Sequence, residues 1–278
     1  MILSGKAKVA GLMGWPVSHS RSPRLHGFWI DKHGLDAAYI PMAVRPEDFA
    51  AALTALPKLG FRGCNLTLPH KETALALLDR IDPAARRIGA VNTVVVAEDG
   101  TLDGRNTDVI GFVENLKAAA PRFDFRAGPA LVLGAGGGAR AVVAGLIDQG
   151  APAVHVVNRD VARAERLARE LGSAVRPAGW DSVPALLGQA NILVNTTSLG
   201  MTGAPPLAID LAPLKAGAVV NDIVYTPLET PLLKAARDRG NIAVDGLGML
   251  LYQGVAGFEA WFGVKPEVTE ELRRWVLG

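Results

Sequence analysis

The sequence predicts an α/β fold, because short apolar runs of strand length alternate with stretches of helical periodicity along most of its 278 residues. Proline and glycine separate these runs, as is usual in the short loops that join strands to helices. Such alternation is typical of βα units that build a mostly parallel sheet. At roughly 150 residues per domain, the length allows two domains or one large α/β domain.

The first half is predicted to alternate four strands with three helices. The expected strands are residues 9–13, 38–42, 64–68 and 91–96, and the expected helices are 23–33, 47–56 and 71–78.

A domain boundary is predicted within residues 119–129, where Pro121 and Pro129 flank a stretch without sustained periodicity. A second βα series follows it, and this series indicates a doubly wound unit. Its expected strands are residues 130–133, 153–157, 192–195 and 219–224, and its expected helices are 139–148, 161–171 and 231–239.

Charge and composition argue against several classes of partner. With 29 basic and 27 acidic side chains, the formal net charge is only +2, so we expect neither nucleic acid nor an anionic membrane as a partner. The N-terminus lacks a signal-peptide pattern, and no apolar run approaches the roughly 18 residues that cross a bilayer. The single cysteine, Cys64, cannot form an internal disulfide and has no metal-ligand spacing around it. We therefore expect a cytoplasmic protein without a metal site, in which Cys64 is a small buried strand residue.

A glycine-rich segment, residues 134–138, follows the strand expected at 130–133 and leads into an alanine-rich helix. This strand-turn-helix context is the one that the dinucleotide-binding fingerprint requires. Gly134 permits a tight turn, Gly136 lets the backbone approach a pyrophosphate, and Ala139 lets the helix pack on its strand. The segment predicts a Rossmann-type cofactor site at a helix N-terminus, with a glycine-rich turn that binds nothing as the alternative. The candidate cofactor-binding residues here are Gly134, Ala135, Gly136, Gly137 and Gly138.

The end of the next strand bears on the choice between NADP and NAD. An NAD-selective site usually offers a carboxylate there to the ribose 2′-hydroxyl, whereas this chain has Asn158 and Arg159. Arg159 can pair with a 2′-phosphate and stack on adenine, which favours NADP as the cofactor. Asp160 leaves NAD open, because its carboxylate would repel a phosphate or bond a ribose, depending on its direction. We expect Asp160 instead to cap the helix that begins near Val161.

Two later loops, residues 195–201 and 221–225, also follow predicted strands. Ligands of an open parallel sheet bind at these strand ends, so Thr197 and Ile223 are further candidate cofactor contacts. Each loop is equally consistent with ordinary turn chemistry.

Four polar clusters follow predicted strands in the first half of the chain, and the first of them offers hydroxyls rather than charges. A dehydrogenase needs a second surface for its substrate, and these clusters are the candidates for it. They are residues 14–23, 65–72, 89–93 and 104–108.

In content and order, these clusters and the glycine-rich segment resemble the shikimate dehydrogenase family. The motifs are Ser-His-Ser-x-Ser-Pro at 18–23, Asn-x-Thr-x-Pro-x-Lys at 65–71, Gly-Ala-Val-Asn-Thr at 89–93, Asn-Thr-Asp at 106–108, and the segment 245–253. The resemblance implies a substrate-binding catalytic domain at 1–118 completed by 240–278, an NADP-binding Rossmann domain at 119–239, and a cleft between them. It also implies NADP-dependent reduction of 3-dehydroshikimate to shikimate, a small-molecule reaction that leads to aromatic amino acids, by a monomer or homodimer.

The resemblance further implies roles for single residues: groups for the substrate carboxylate, for the ring hydroxyls, for the reacting C3 oxygen and for the cofactor. A polyhydroxylated acid needs many short donors and acceptors, so these residue types suit it. The implied residues are Ser20, Ser22 and Tyr225 for the carboxylate, Thr67, Asn92 and Gln253 for the hydroxyls, Lys71 and Asp108 for the C3 oxygen, and Gly246 for the cofactor.

Lys71 and Asp108 are the candidate catalytic pair. A lysine is ordinarily a cation near neutral pH, and a nearby carboxylate favours that form. We therefore expect Lys71 to stabilise the developing alkoxide while Asp108 orients it, with the residue that moves the proton left open. Taken singly, the two residues are also consistent with a solvated lysine and a helix N-cap. His19 and His70 are expected to be a loop scaffold and a helix-entry residue.

Two rival functions stay open from the sequence. A quinate or dual quinate/shikimate dehydrogenase using NAD would need room beside Ser20 and Ser22 for one more hydroxyl. A non-catalytic NADP-binding sensor is the other, because a fold does not fix a function, although the catalytic pair favours an enzyme. Asp160 stands where the family commonly has Thr or Ser after Asn-Arg, which leaves the cofactor preference open.

Overall fold

The strands form two six-stranded sheets in residues 2–278, the part of the chain that the computed structural model describes. The chain divides into two compact units. The first comprises the residues up to Thr107 together with Leu250–Gly278, and the second comprises Asp108–Met249.

Eleven α-helices lie within the same residues. They are α1 (Ser22–Lys32), α2 (Phe49–Ala55), α3 (His70–Thr73), α4 (Pro83–Ile88), α5 (Asp108–Ala119), α6 (Gly137–Asp148), α7 (Val161–Leu171), α8 (Val183–Leu187), α9 (Pro231–Asp238), α10 (Leu247–Phe262) and α11 (Glu270–Leu277).

The first sheet is mixed. Its strands are β1 (Lys8–Gly14), β2 (Ala37–Ala43), β3 (Phe61–Leu66), β4 (Arg80–Ile81), β5 (Thr93–Val96) and β6 (Leu102–Arg105), in the order β2-β1-β3-β5-β6-β4. β1 is parallel to β2 and β3, whereas β5 is antiparallel to β3 and β6. A tight hairpin joins β5 to β6, and Gly100 within it has a φ of +85°, in the left-handed region that favours glycine. The sheet of this unit therefore departs from the purely βα pattern because a hairpin replaces one crossover.

An aromatic cluster packs α10 against α1 in the first unit. Phe258 of α10 lies edge-on to Trp29 of α1, with ring centroids 5.3 Å apart. The buried indole nitrogens of Trp29 and Trp261 donate to the carbonyl oxygens of Glu267 (3.0 Å) and Val94 (2.9 Å). Both donors are thus satisfied, as buried polar groups must be.

The second sheet is entirely parallel. Its strands are β7 (Ala130–Leu133), β8 (Val154–Val157), β9 (Val175–Ala178), β10 (Ile192–Asn195), β11 (Val219–Asp222) and β12 (Ile242–Val244), in the order β12-β11-β10-β7-β8-β9. The chain runs outward from β7 to β9 and then returns to place β10 on the other side of β7. This reversal is the switch point at which doubly wound sheets bind ligands. The predicted α/β class with a Rossmann-type unit is confirmed.

Helices cover both faces of the second sheet, since alternate strand residues point to opposite sides. Val132 and Val194 pack into one core together with α5, α6 and α7. Leu131 and Leu193 pack into another together with α8 and α9. Burial on both faces explains why these strands read as continuous apolar runs in the sequence.

Helix α5 belongs to the second unit, although the predicted boundary lies after it. A Cβ atom at Gly145 of α6 would lie 3.1 Å from the Val113 side chain and 3.2 Å from that of Phe112, so the glycine lets the two helices approach. The Asn115 side-chain amide also donates to the carbonyl oxygen of Asp245 (2.8 Å). The chain thus divides structurally at 107/108 and 249/250, while the division of roles at 118/119 and 239/240 stays a prediction.

The predicted strands and helices are present, and β7, β10 and α7 have the predicted bounds. Four strands, β4, β6, β9 and β12, were not predicted. β4, β9 and β12 are sheet edges, and β6 (Leu-Asp-Gly-Arg) contains one apolar residue. Short edge strands carry too little apolar periodicity to be distinguished from loops.

His26 gives the first unit a specific sensitivity to acid. It is buried in α1, neither ring nitrogen makes a hydrogen bond, and its ring stacks on Tyr39 at 4.1 Å. Burial, partly offset by the nearby Asn65 side chain, lowers the pKa of His26 from 6.5 to about 3. Below about pH 6.5, His26 is protonated in the unfolded chain but stays neutral in the folded chain. The free energy of unfolding therefore falls by up to about 1.4 kcal/mol for each unit by which the pH is lowered. We expect His26→Phe to lessen this fall between about pH 6.5 and 4.5, as measured by urea denaturation.

The matched control is His19→Phe, at an exposed loop position, which should keep the wild-type dependence of stability on pH. Parallel pH dependences for wild type and His26→Phe would contradict the prediction.

Candidate active site

The loops that follow β1 and β3 in the first unit lie side by side, because the two strands are parallel. The amide of Trp15 in one loop donates to the carbonyl oxygen of Leu68 in the other (3.0 Å). Ser20 is half-buried in the first loop, and Ser22, the first residue of α1, is 5% exposed. Thr67 is half-buried at the start of the second loop.

Arg21 stands between the two serines but binds elsewhere. Its Nη1 donates to the carbonyl oxygens of Val276 (2.7 Å) and Leu277 (2.8 Å) in the last turn of α11. A cation is favourable at this negative end of a helix. The Arg21 guanidinium therefore binds the C-terminal end of α11. The side-chain groups that Ser20 and Ser22 contribute to the loop are hydroxyls.

A buried network of amides and hydroxyls lies nearby in the same unit. The Thr107 N–H donates to Asn92 Oδ1 (2.8 Å), which fixes the orientation of the Asn92 amide. Asn92 Nδ2 then donates to Thr107 Oγ1 (3.0 Å) and Gln253 Oε1 (3.3 Å). The structure thus brings together Asn92 and Gln253, two of the residues predicted for the substrate hydroxyls.

The network continues from Asn92 to Tyr39. Thr93 Oγ1 donates to Asn92 Oδ1 (3.0 Å), and Asn65 Nδ2 donates to Thr93 Oγ1 (3.2 Å). The Tyr39 hydroxyl donates to Asn65 Oδ1 (2.7 Å), and burial raises the pKa of this phenol. Every member is neutral, so the network can exchange partners with ligand hydroxyls without desolvating a charge.

Lys71 is the second residue of the short helix α3 and is half-buried. Its neighbour His70 anchors the helix: His70 Nε2 lies 2.8 Å from the carbonyl oxygen of Val44, and the ring stacks on Phe49 at 4.1 Å. The Val91 N–H donates to the Lys71 carbonyl oxygen (2.8 Å). His70 is thus a buried helix-entry residue, as the sequence predicted, and it fixes the backbone from which Lys71 projects.

The glycine-rich segment of the second unit lies at the switch point of its sheet. Gly134, directly after β7, has a φ of +102°, which favours glycine. No side chain caps the N-terminus of α6, and side chains at Gly136 or Gly137 would meet nothing within 4 Å. The first amides of this 12-residue helix therefore adjoin open space, and such a terminus suits an anionic group.

The end of β8 carries Asn158, Arg159 and Asp160. Asn158 is half-buried and its Nδ2 donates to the Asp160 carbonyl oxygen (2.8 Å), whereas Arg159 is exposed. Asp160 Oδ1 accepts from the Ala162 N–H (3.2 Å), and its Oδ2 lies 3.6 Å from Arg163 Nε. Asp160 thus caps α7, as the sequence predicted.

Two loops adjoin the other side of the switch point: the Thr197 loop (residues 196–202) after β10 and the Tyr225 loop (residues 223–230) after β11. The Thr202 N–H donates to the Thr226 carbonyl oxygen (2.8 Å) and joins them. Asn195 Oδ1 accepts from both the N–H (3.1 Å) and the hydroxyl (2.7 Å) of Thr197. Tyr225 is half-buried.

Close packing leaves no room for a side chain at three of the glycines in this unit. A Cβ atom at Gly138 would lie 2.8 Å from Ile223 Cδ1, and one at Gly246 would overlap the Ile223 carbonyl oxygen. One at Gly134 would lie 2.7 Å from Thr196 Oγ1. The predicted cofactor residues Gly138 and Gly246 therefore both contact Ile223, and Ala135, in the same glycine-rich segment as Gly138, is half-buried.

Asp108 is the first residue of α5 and is 9% exposed. A carboxylate is favourable in the first turn of a helix. The structure therefore gives Asp108 a stabilising position of its own, and its catalytic role stays a prediction.

Four further polar residues lie within the polar segments identified in the sequence but were not predicted as site residues. All four are buried and lie at or near a strand end. A polar residue at the end of an apolar run is the signal by which the sequence marks such positions. The four residues are Asn65 (5% exposed), Thr107 (3%), Asn195 (0%) and Asp222 (0%).

Cys64 is fully buried on β3, as predicted. Within residues 2–278, no three histidine, cysteine, aspartate or glutamate side chains are grouped so as to hold a metal ion. None of the helices in that range is both long and apolar enough to cross a membrane.

Three family models match the chain in sequence order. Residues 12–94 match the shikimate dehydrogenase substrate binding domain, residues 117–201 match shikimate / quinate 5-dehydrogenase, and residues 246–270 match the shikimate 5′-dehydrogenase C-terminal domain.

Relatives and solved structures agree with these matches. The shikimate dehydrogenase (NADP(+)) of Paramagnetospirillum magneticum is 57% identical over 99% of this chain and 100% of its own. The quinate dehydrogenase of Corynebacterium glutamicum in complex with NAD has a TM-score of 0.91 at 33% identity, covering 98% of this chain and 99% of its own. The shikimate 5-dehydrogenase of Thermus thermophilus in complex with NADP(H) and shikimate has a TM-score of 0.86 at 39% identity, covering 97% and 98%. The chain therefore belongs to the shikimate dehydrogenase family.

Proposed function

We propose that this chain catalyses the reversible, NADP-dependent reduction of 3-dehydroshikimate to shikimate, a step toward the aromatic amino acids. The observation that carries the proposal is the buried, uncharged network of Asn92, Thr107 and Gln253. A polyhydroxylated acid needs many short neutral donors and acceptors, and a site that offers them discriminates against analogues that lack the hydroxyls. Relatives at 55–58% identity bear the name shikimate dehydrogenase (NADP(+)), which supports the same reaction.

The substrate carboxylate is assigned to the hydroxyls of Ser20, Ser22 and Tyr225. Ser22 opens an 11-residue helix, so the positive end of the helix dipole adds to the attraction. Because Arg21 is bound to α11, binding does not use a bidentate guanidinium and is correspondingly weaker. The ring hydroxyls are assigned to Thr67, Asn92 and Gln253.

Lys71 and Asp108 are assigned to the oxygen on C3. The cofactor, when bound, would supply a hydride to that carbon as NADPH in reduction and accept one from it as NADP⁺ in oxidation. During reduction the C3 oxygen gains negative charge, which a cationic Lys71 stabilises while Asp108 orients it and shares the substrate hydroxyl. The proton passes through this pair, in one direction for reduction and in the other for oxidation.

The residues present fit a dinucleotide. Its pyrophosphate is assigned to the N-terminus of α6, where the positions of Gly136 and Gly137 adjoin open space. The 2′-phosphate is assigned to Arg159 with Asn158 beside it, and the capping role of Asp160 directs its carboxylate to α7. The remaining assigned contacts are Gly134, Ala135, Gly138, Thr197, Ile223 and Gly246.

The proposal includes the setting of the protein. A cytoplasmic location is proposed because the one cysteine is buried and forms no disulfide. The net charge of +2 gives no reason to expect a nucleic-acid partner. A monomer or homodimer is proposed from the family resemblance.

The activity is tested by following NADPH absorbance with shikimate and with quinate, each against NADP and NAD. We expect the highest kcat/KM with shikimate and NADP. A higher value with quinate and NAD would favour the quinate dehydrogenase function. NADPH binding without any turnover would favour the sensor.

Lys71→Ala should lower kcat by about 10²- to 10⁴-fold while changing the KM for shikimate little, because the lysine charge is used mainly in the transition state. Steady-state kinetics of shikimate oxidation measure this effect. The matched control is Lys58→Ala, at an exposed position, which should behave as wild type. An unchanged kcat with a raised KM would make Lys71 a binding residue instead.

Arg159→Ala should raise the KM for NADP by about tenfold to a hundredfold and leave that for NAD nearly unchanged, because only NADP loses a charge-assisted contact. Arg169→Ala, at an exposed position near the other end of α7, is the matched control. Equal effects on both cofactors would place the 2′-phosphate elsewhere.

Asp160→Thr tests whether the Asp160 carboxylate caps α7 or repels the 2′-phosphate of NADP. Threonine also caps helices, so we expect little change in kcat/KM for NADP. A large improvement with NADP would instead mean that the Asp160 carboxylate faces the phosphate.

A further inference from the structure

Asp222, the last residue of β11, is a fully buried carboxylate to which the proposed reaction assigns no role. Its Oδ1 accepts from Asn195 Nδ2 (2.9 Å) and from the Val224 N–H (3.0 Å). Its Oδ2 accepts from the Thr230 hydroxyl (2.7 Å). Burial raises the pKa of this carboxyl, and the bonds from Thr230, Val224 and Asn195 act against that rise.

These three donors come from different segments of the second unit. Val224 lies near the start of the Tyr225 loop, and Thr230 lies at its end, where it also caps α9. Asn195 ends β10, and its Oδ1 accepts from the N–H and hydroxyl of Thr197. One carboxylate therefore joins both ends of the Tyr225 loop to each other and to the Thr197 loop.

The chemistry of this junction requires acceptors only. An ionised carboxylate accepts at both oxygens, whereas an amide in its place would turn one NH₂ group toward a donor. The cost of burying a carboxylate among neutral partners is offset only if its hydrogen bonds are made. The carboxylate thus fixes the geometry of its donors more strictly than an amide of the same shape.

We infer that Asp222 is a positioning residue for Tyr225: it fixes the path of the Tyr225 loop and thereby the direction of the tyrosine hydroxyl toward the substrate carboxylate. This inference rests on the proposed function, because that function assigns Tyr225 to the substrate.

The test is a double-mutant cycle of Asp222→Asn and Tyr225→Phe in the full chain, read out as kcat and KM for shikimate with saturating NADP. We expect Asp222→Asn to raise the KM roughly tenfold to a hundredfold and to change kcat less. In the Tyr225→Phe background the same replacement should change the KM by less than about twofold, since residues that act through one another are not additive.

The matched control is Asp210→Asn. Asp210 Oδ1 accepts from the N–H two residues later, that of Ala212 (2.9 Å), as Asp222 Oδ1 does from Val224, but Asp210 is exposed. It should leave the KM for shikimate at the wild-type value.

If Asp222→Asn fails to fold, two variants of Thr230 test the same inference. Thr230→Val removes the hydroxyl that joins the end of the Tyr225 loop to Asp222, and Thr230→Ser keeps it. We expect the KM to rise about tenfold in the valine variant and to return to near wild type in the serine variant.

The outcomes separate this inference from the proposed function. An inactive wild type with shikimate and NADP would overturn both. An active wild type with equal effects of Asp222→Asn in the two backgrounds would overturn the inference alone. A wild-type KM in Asp222→Asn, in Tyr225→Phe or in Thr230→Val would do the same.

Discussion

The parallel pairing of β7 with β10 is the interaction on which the second unit depends. Its register sets Leu133 opposite Asn195, so both strands end at the same level. The connections from the two strands lead to opposite sides of the sheet, the arrangement at which doubly wound sheets bind ligands. The Thr196 hydroxyl donates to the Leu133 carbonyl oxygen (2.6 Å), and a Cβ atom at Gly134 would lie 2.7 Å from the same hydroxyl oxygen, so the two strand ends are in direct contact.

The first unit buries polar groups in two contrasting ways. The Asn92 network pairs amides and hydroxyls with each other, so its members keep fixed orientations at little cost. His26 is also buried but makes no hydrogen bond at either ring nitrogen, and its surroundings are aromatic rings. Both arrangements keep the interior uncharged. The Asn92 network contains only neutral groups, and His26 stays unprotonated because it is buried among aromatic rings.

The sequence predicted best where residues act through periodicity. Apolar runs located β7 and β10 to the residue, and an amphipathic pattern located α7, because strands buried on both faces and amphipathic helices leave strong patterns. β6, with one apolar residue, left none. The structural division after Thr107 was also missed, because it depends on how α5 fits against Gly145 and Asp245, which are far from it in sequence.

The candidate site shows the same limit. Motifs indicated Asn92 and Gln253, and the structure joins them in one network. Thr107 lay in the motif 106–108 and Asp222 in the loop 221–225, but their positions are fixed by hydrogen bonds to side chains distant in sequence, those of Gln253 and Asn195. A pattern along the chain locates polar residues at strand ends, whereas their partners are set by tertiary packing.

The hold of Arg21 on α11 has a consequence for the order of folding. Arg21 bonds to carbonyl oxygens that lie 255 and 256 residues later in the chain. During synthesis, chains fold from the N-terminus onward. The turn that carries Ser20 and Ser22 therefore emerges early, before the carbonyl oxygens of α11 to which Arg21 bonds have been made. Its final arrangement is therefore completed only after α11 has left the ribosome, which delays ligand binding until Val276 and Leu277 have been made and have packed against this turn.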